Sequence, residues 1–307
     1  MDRSHSAGPA SPPVQLQAGL RVDVPTAADI QAISQALLLL VRASETITNE
    51  TADRQPPAGS VASELWQGAE PQLAIDGFLL MQYANMSAFD HVRGFVALLR
   101  TPTVRSTALA TVARGALESL ARTWHLLQRP ESKQFLHTVL SFLRSDLRYS
   151  ELLEEPIWNR NGEPVDAAEQ RRFYLAELTR LGLPAPSKID LSDLVAGLLD
   201  AATGEDDGRL RYSALSSIAH GQRIGINTFV ATNETGLIVG LRAPRRVVAD
   251  MVGQLVATLH ETTADLCRFF GDQPRHVDLL RASSQRAAAA LDPLSEAIWP
   301  SKDKATQ

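Results

Sequence analysis

The sequence predicts an all-α protein, built as a single multi-helix bundle with one short β-hairpin insertion. Apolar residues recur at intervals of three and four over most of the chain, which is the spacing of one helix face. Helical and strand-like segments do not alternate, as they would in a parallel α/β sheet. Only one pair of strand-like runs, separated by a turn sequence, interrupts the helical pattern.

The N-terminal part of the chain is predicted to lie outside the main bundle. Residues 1–25 contain four prolines and no apolar period, so we expect a flexible tail. Residues 26–43 have helical spacing, with Thr26 as a candidate N-cap, and predict a first helix. Residues 44–62 are polar and include Pro56 and Pro57, so they are expected to form a linker.

The main bundle is predicted to occupy residues 63–299. Its helices are expected at about 71–100, 104–128, 131–155, 167–181, 190–199, 208–220, 244–270 and 276–293. The strand-like runs 226–232 and 237–241 flank Asn233-Glu234-Thr235-Gly236, which predicts a hairpin at about 226–241. Residues 300–307 are polar and are expected to be a C-terminal tail.

Composition excludes several classes of protein. With 44% hydrophobic residues, the 307-residue chain is too apolar to be disordered throughout. A single cysteine, Cys267, excludes internal disulfides and a cysteine-based zinc cluster. The net charge of -5 does not favour nucleic-acid binding by bulk electrostatics. No signal peptide or membrane span is evident, so we expect a cytoplasmic protein with no membrane association.

Common catalytic and cofactor motifs are absent from the sequence. There is no phosphate-binding loop, no dinucleotide-binding glycine motif, no Gly-x-Ser-x-Gly and no His-Glu-x-x-His. We therefore expect neither a metal site nor a cofactor. Only four of the 30 basic residues are lysines, which suggests a coding bias towards arginine and weakens arguments from arginine counts.

The most unusual helix is the one predicted at 104–128. Its strongly polar side chains, Arg114, Glu118, Arg122 and His125, fall within about 80° of one another at 100° per residue. We call this predicted helix α4 and its polar stripe the α4 seam. The rest of the helix is mostly Leu, Ala and Val, which is typical of a central position in a bundle.

Two interpretations of the α4 seam remain open. The seam is either an exposed ladder of ion pairs, each worth a few tenths of a kcal/mol, or the wall of a cleft that binds an anion or transfers protons. Asp90 and His91 on the preceding helix are further polar groups that would pair with the seam or lie at the surface.

A second polar segment runs from Arg211 to Gly221. Ser213, Ser217 and His220 fall within about 60° of one another on this predicted helix, and Tyr212 lies beside them. Gly221 is placed to end the helix in the left-handed conformation. The alternatives are a ligand-contacting surface and a helix end at which His220 serves only as a cap.

The two segments together carry a family resemblance. Arg114-x-x-x-Glu118-x-x-x-Arg122, followed about 100 residues later by Tyr212-Ser213-x-x-Ser216-x-x-x-His220-Gly221, resembles a group of bacterial helical proteins. These in turn resemble the higher eukaryote and prokaryote nucleotide-binding (HEPN) superfamily. The resemblance spans about residues 72–271. It implies an α-helical bundle, often dimeric, in a superfamily that includes RNA-cleaving toxins as well as non-catalytic members.

The chain departs from the ribonuclease members of that superfamily. Those members carry Arg, four to six residues, then His on one helix. Here eight residues separate Arg211 from His220, and the two lie on opposite helix faces. A replacement arginine would have to come from Arg114 or Arg122.

Two functions follow from these patterns. The favoured one is a ligand-binding or protein-binding helical module, expected to be a homo-oligomer, whose partner is an unidentified protein or small ligand. The alternative is a metal-independent hydrolase, ribonuclease-like, in which His220 moves a proton. In that alternative Arg114 and Arg122 stabilise phosphate charge, and Glu118 orients His220 or Arg122.

Overall fold

The computed structural model describes residues 23–52, 54–101, 106–158 and 161–298, and over these residues the chain is a helical bundle with two small hairpins. The predicted fold class is confirmed. The predicted C-terminal tail and most of the N-terminal tail lie outside the described residues.

The helices are α1 (Ala27–Ala52), α2 (Val61–Trp66), α3 (Pro71–Arg100), α4 (Ala108–Leu127), α5 (Ser132–Asp146), α6 (Arg148–Leu153), α7 (Ala167–Arg180), α8 (Leu191–Thr203), α9 (Gly208–Ala219), α10 (Arg223–Ile226), α11 (Arg245–Phe269) and α12 (Pro274–Ile298). The strands are β1 (Ile157–Trp158), β2 (Pro164–Val165), β3 (Val230–Thr232) and β4 (Ile238–Leu241). A short 3-10 turn at Asn227–Phe229 leads into β3.

The predicted linker over residues 44–62 is wrong in its first part, because α1 continues to Ala52. The second half of α1 is polar in sequence but largely buried in the bundle. The Ser44 hydroxyl lies 2.7 Å from that of Thr263 in α11. Thr51 donates a 2.9 Å bond to the carbonyl of Ile47, one turn earlier. Packing and hydroxyl-to-backbone bonds therefore support a helix where composition favoured a loop.

Other boundaries differ from prediction by smaller amounts. The helix predicted at 131–155 is divided into α5 and α6. The last helix continues through Pro293 instead of fading there. The short β1–β2 hairpin was not predicted from the sequence.

The core lies along α3, α4 and α11 in two clusters. One cluster is mainly aliphatic, with Phe89, Phe95 and Phe229 among its members, and joins the first half of α1 to α3, α4, α8, α9 and α11. The other lies around α5 and the end of α11 and contains four phenylalanines in mutual contact: Phe78, Phe135, Phe269 and Phe270. Cys267 is buried in this second cluster, and burial together with the nearby Asp272 raises the pKa of its thiol to about 11.

The β3–β4 hairpin projects apolar side chains into solvent. Its strands are antiparallel, and the pairing shifts register after Ala231. All four residues of β4 are exposed, and so is Leu237 just before it. Within the described residues this sheet contains only two strands, so the outer edge of β4 has no strand neighbour. No helix among the described residues is both long and apolar enough to cross a bilayer.

Candidate functional site

The structure divides the α4 seam into three separate environments. Arg114 and Glu118 turn towards α9, Arg122 pairs with α5, and His125 lines a cavity beyond α5. The four side chains therefore do not form one continuous ladder. Neighbouring helices, rather than the stripe itself, decide what each one contacts.

Arg114, Glu118, Tyr212 and His220 meet where α4 faces α9, and we call this group the Arg114 cluster. Arg114 Nε donates to Glu118 Oε1 at 2.7 Å and also to the Tyr212 hydroxyl at 3.2 Å. Tyr212 donates in turn to Glu118 Oε1 at 2.6 Å. Arg114 Nη1 lies 2.5 Å from His220 Nε2. The Arg114 and Glu118 side chains are each 23% exposed, so the cluster is half-buried at the surface.

The contact between Arg114 and His220 defines the state of the imidazole. A guanidinium has donors but no acceptor, so Nε2 must accept the bond. In the tautomer that fits this contact, Nδ1 carries the ring hydrogen. His220 is exposed and forms the C-terminal cap of α9, and Gly221 follows with φ +68, the left-handed conformation expected from the sequence.

Mutual hydrogen bonds set the ionisation of the cluster. Burial alone would lower the pKa of Arg114, but bonds to Glu118 and Tyr212 outweigh it and raise the pKa. Burial, and then donation to Glu118, raises the pKa of the Tyr212 phenol. The cluster thus contains one cation, one carboxylate and a neutral phenol in a closed network.

Arg122 lies outside the Arg114 cluster. Its Nη2 donates to both carboxylate oxygens of Asp146 at 2.7 and 2.6 Å. Its guanidinium carbon lies 4.7 Å from the centroid of the Phe142 ring. Arg122 is therefore held by α5, and its side chain pairs with Asp146 rather than with Glu118, so the expected Glu118–Arg122 pair does not form.

His125 is the last residue of the α4 seam and packs edge-on against Phe142, with ring centroids 6.0 Å apart. Burial, together with the charge of Arg129, lowers the pKa of His125 to about 4. The ring is therefore neutral at pH 7. It lines a cavity and makes no hydrogen bond to a described residue.

The serines of α9 have different surroundings. Ser217 donates a 2.8 Å bond to the carbonyl of Ala214. A Cβ placed on Gly225 would lie 2.5 Å from Ser217 Oγ, so α10 packs directly over this serine. Ser213 is exposed. Arg211 bonds to Asp207 and Glu205, and so does not pair with His220.

Asp90 and His91 do not join the Arg114 cluster. His91 Nδ1 donates to the carbonyl of Ser87 at 2.7 Å, and its ring fills the space beside Gly115. A Cβ on Gly115 would lie 2.4 Å from His91 Cδ2, so glycine permits this close approach of α3 and α4. Asp90 is exposed.

Sequence reasoning missed a group of cations around the cavity next to His125. Arg129, Lys133 and Lys188 line this cavity, which has a volume of about 470 Å³. A signal was available in the sequence, because lysine is rare and both lysines of the described part of the chain are in this group.

The described residues contain no set of three or more His, Cys, Asp or Glu side chains arranged to hold a metal ion. No protein-family model, no curated protein and no solved structure matches this chain.

Proposed function

We propose that this protein is a helical binding module, and that the Arg114 cluster contacts a partner protein rather than performing a reaction. The observation that carries this proposal is the 2.5 Å contact between Arg114 Nη1 and His220 Nε2. A general base needs a free lone pair, and this contact occupies the one on Nε2. Glu118 is likewise engaged by both Arg114 and Tyr212.

The surroundings of the cluster favour a protein as the partner. Tyr212 is buried, but Arg114 is partly exposed, and arginine is among the residue types that most often dominate binding at protein interfaces. The same segment of chain exposes large apolar side chains: Leu210 on α9 is 72% exposed and Ile224 on α10 is 79% exposed. Polar anchors next to exposed apolar groups are typical of docking surfaces.

The first partner to test is a second copy of the chain. The outer edge of β4 has no strand neighbour among the described residues, and its side chains are apolar on both faces. An antiparallel strand can pair with its own copy about a twofold axis, which satisfies both edges at once. Such pairing would also cover the exposed apolar side chains of the hairpin.

Sedimentation velocity at increasing protein concentration tests this self-association. We expect a dimer that Val239→Lys converts to monomer. The matched control is Leu152→Lys, which places the same charge on an equally exposed apolar position of α6. A wild-type protein that stays monomeric at every concentration would refute the self-pairing.

The role of the cluster in that interface is tested by His220→Ala. His220 is exposed, so its loss should leave the fold intact. We expect a weaker dimer with an unchanged melting temperature. If the variant associates as tightly as the wild type, the Arg114 cluster lies outside the interface.

One observation favours a second candidate, a metal-independent ribonuclease-like enzyme. The resemblance to HEPN proteins raises the expectation of an Arg–His pair. Here Arg114 of α4 contacts His220, whereas α9 supplies no arginine to it. In this candidate Arg114 would stabilise phosphate charge while His220 transfers a proton. The test is cleavage of single-stranded RNA in the presence of a metal chelator. Activity that is no greater than that of His220→Ala removes this candidate.

A further inference from the structure

The cavity beside His125 lies between three parts of the bundle. The end of α4 forms one side, α5 forms a second, and the segment from Gly182 to Leu194 forms the third. That segment is fastened to α5 at two points. His137 Nε2 donates to the carbonyl of Ala185 at 3.0 Å, and the backbone N–H of Ser187 donates to Ser141 Oγ at 3.2 Å. These two bonds tie the third side of the cavity to α5.

Three cations at the cavity have no counter-ion in the described structure. Arg129, Lys133 and Lys188 make no side-chain hydrogen bond or ion pair with another described residue. Many arginines of this chain, by contrast, do form such pairs, as Arg122, Arg180 and Arg245 show. A bound anion would supply the opposite charge that the described residues do not.

The two carboxylates at the cavity do not neutralise these cations. Asp190 is the N-cap of α8 and accepts a 2.9 Å bond from the backbone N–H of Ser192. Asp193 pairs with Arg209, which does not line the cavity. Only the Asp190 carboxylate, which has no cationic partner, remains to offset the charge of the three cations.

The remaining lining of the cavity is mixed, with polar side chains at Gln134, His137, Thr138, Ser141 and Ser187 next to an apolar part. Leu183, Pro184, Ile189 and Leu194 contribute aliphatic surface, and the neutral His125 ring contributes an aromatic one. A volume of about 470 Å³ lies within the range of pockets that hold organic ligands. A bare inorganic ion would leave the apolar walls in contact with water.

We propose that this cavity binds a small organic anion, whose oxyanion group is held by Arg129, Lys133 and Lys188 and whose compact apolar body packs between His125 and Leu194. The oxyanion is a carboxylate or a phosphate, since both accept hydrogen bonds from ammonium and guanidinium groups. This site is separate from the Arg114 cluster and does not depend on the partner-binding function proposed above.

The probes for this site are phenyl phosphate, benzoate, inorganic phosphate and phenol, each titrated into the full-length protein. Binding is measured by isothermal titration calorimetry and by amide chemical shifts. We expect saturable binding of an aromatic anion, with shift changes at Ser187 and Leu194. The tighter of phenyl phosphate and benzoate identifies the oxyanion. Inorganic phosphate and phenol should each bind at least about tenfold more weakly. Inorganic phosphate lacks the apolar body, and phenol lacks the oxyanion.

Charge removal tests which side chains hold the anion. Lys133→Gln and Lys188→Gln should each weaken binding of the aromatic anion by about tenfold. Both lysines are exposed, so neither change should lower the melting temperature. The matched control is Arg172→Gln, an exposed cation on α7 that does not line the cavity and should bind as the wild type does.

Three outcomes would overturn the proposal. The first is no saturable binding of either aromatic anion. The second is an affinity that is unchanged when both lysines are replaced. The third is inorganic phosphate binding as tightly as phenyl phosphate, which would show that the apolar walls play no part.

Discussion

The two ends of the α4 seam lie in opposite surroundings. At the Arg114 end, the guanidinium, the carboxylate and the phenol are bonded to one another and link α4 to α9. At the His125 end, Arg129 and Lys133 of α5 border a cavity, and neither has a counter-ion among the described residues. The stripe looks uniform in the sequence, yet one end is a closed network and the other is open.

This difference determines which end of the seam is suited to bind a small ligand. A closed network of compensated charges has few groups left to offer a small ligand, but it holds two helices in a fixed relation. Unpaired cations around a preformed cavity contribute little to folding and remain available to a ligand. The same types of residue therefore serve different purposes at the two ends.

The largest expected effect is that of Glu118→Gln. The change removes the charged acceptor shared by Arg114 and Tyr212 in a half-buried site, and hydrogen bonds to charged groups are worth about 2 kcal/mol. We expect the free energy of unfolding in urea to fall by that amount. Glu234→Gln, in the exposed turn of the hairpin, is the control and should change little. A loss for Glu118→Gln as small as that for Glu234→Gln would show that the cluster stabilises the fold no more than an ordinary surface ion pair does.

A pH effect of intermediate size is expected at the other end of α4. The folded-state pKa of His125 is about 4, below the ordinary value of 6.5, so the unfolded chain binds a proton more readily between these pH values. The free energy of unfolding should therefore fall as pH drops from about 6.5 to about 4. Allowing for partial solvent screening, we expect roughly 1–2 kcal/mol from this residue.

The contribution of His125 is isolated by comparing the wild type with His125→Gln over the same pH range. Arg129, Lys133 and His137 line the same cavity and stay unchanged in both proteins. The variant should show a shallower loss of stability on acidification. His260→Gln, which removes an exposed imidazole elsewhere, controls for the substitution itself. If the free energy of unfolding falls equally with pH in the wild type and in His125→Gln, the lowered pKa of His125 is contradicted.

The smallest effect is expected midway along the α4 seam. The Arg122–Asp146 pair is more exposed than the Arg114–Glu118 pair, with 28% and 42% of the two side chains accessible against 23% for each of the other two. Exposed ion pairs contribute little in water, so Asp146→Asn should lower the free energy of unfolding by less than about 0.5 kcal/mol. If Asp146→Asn lowers the free energy of unfolding as much as Glu118→Gln does, the Arg122–Asp146 pair and the Arg114 cluster do not differ in their contribution to stability.

The sequence predicted the bundle well where apolar spacing was strong. The helices at 71–100 and 208–220 and the hairpin were placed close to their observed positions, because burial of one helix face and the turn sequence at 233–236 determine them locally. The second half of α1 was mistaken for a linker. Its serines and threonines are buried against α11, and no local pattern reveals such a partner.

The candidate site was predictable only in part. Helical geometry placed Arg114 and Glu118 on one side of α4 and His220 on one side of α9, and the structure brings these three together. The contact between Arg122 and Asp146 depends on how α5 packs, which the sequence alone does not specify. The cavity brings together residues from three separate segments and leaves no short motif.

The burial of Cys267 has a practical consequence for labelling this protein. A thiol whose pKa is about 11 is almost wholly protonated at neutral pH and reacts slowly with maleimides. A cysteine introduced at Thr235, in the exposed turn of the hairpin, would then be the site that takes up a fluorophore or spin label. The wild-type chain can thus serve as the background for spectroscopy without first removing its own sulfhydryl.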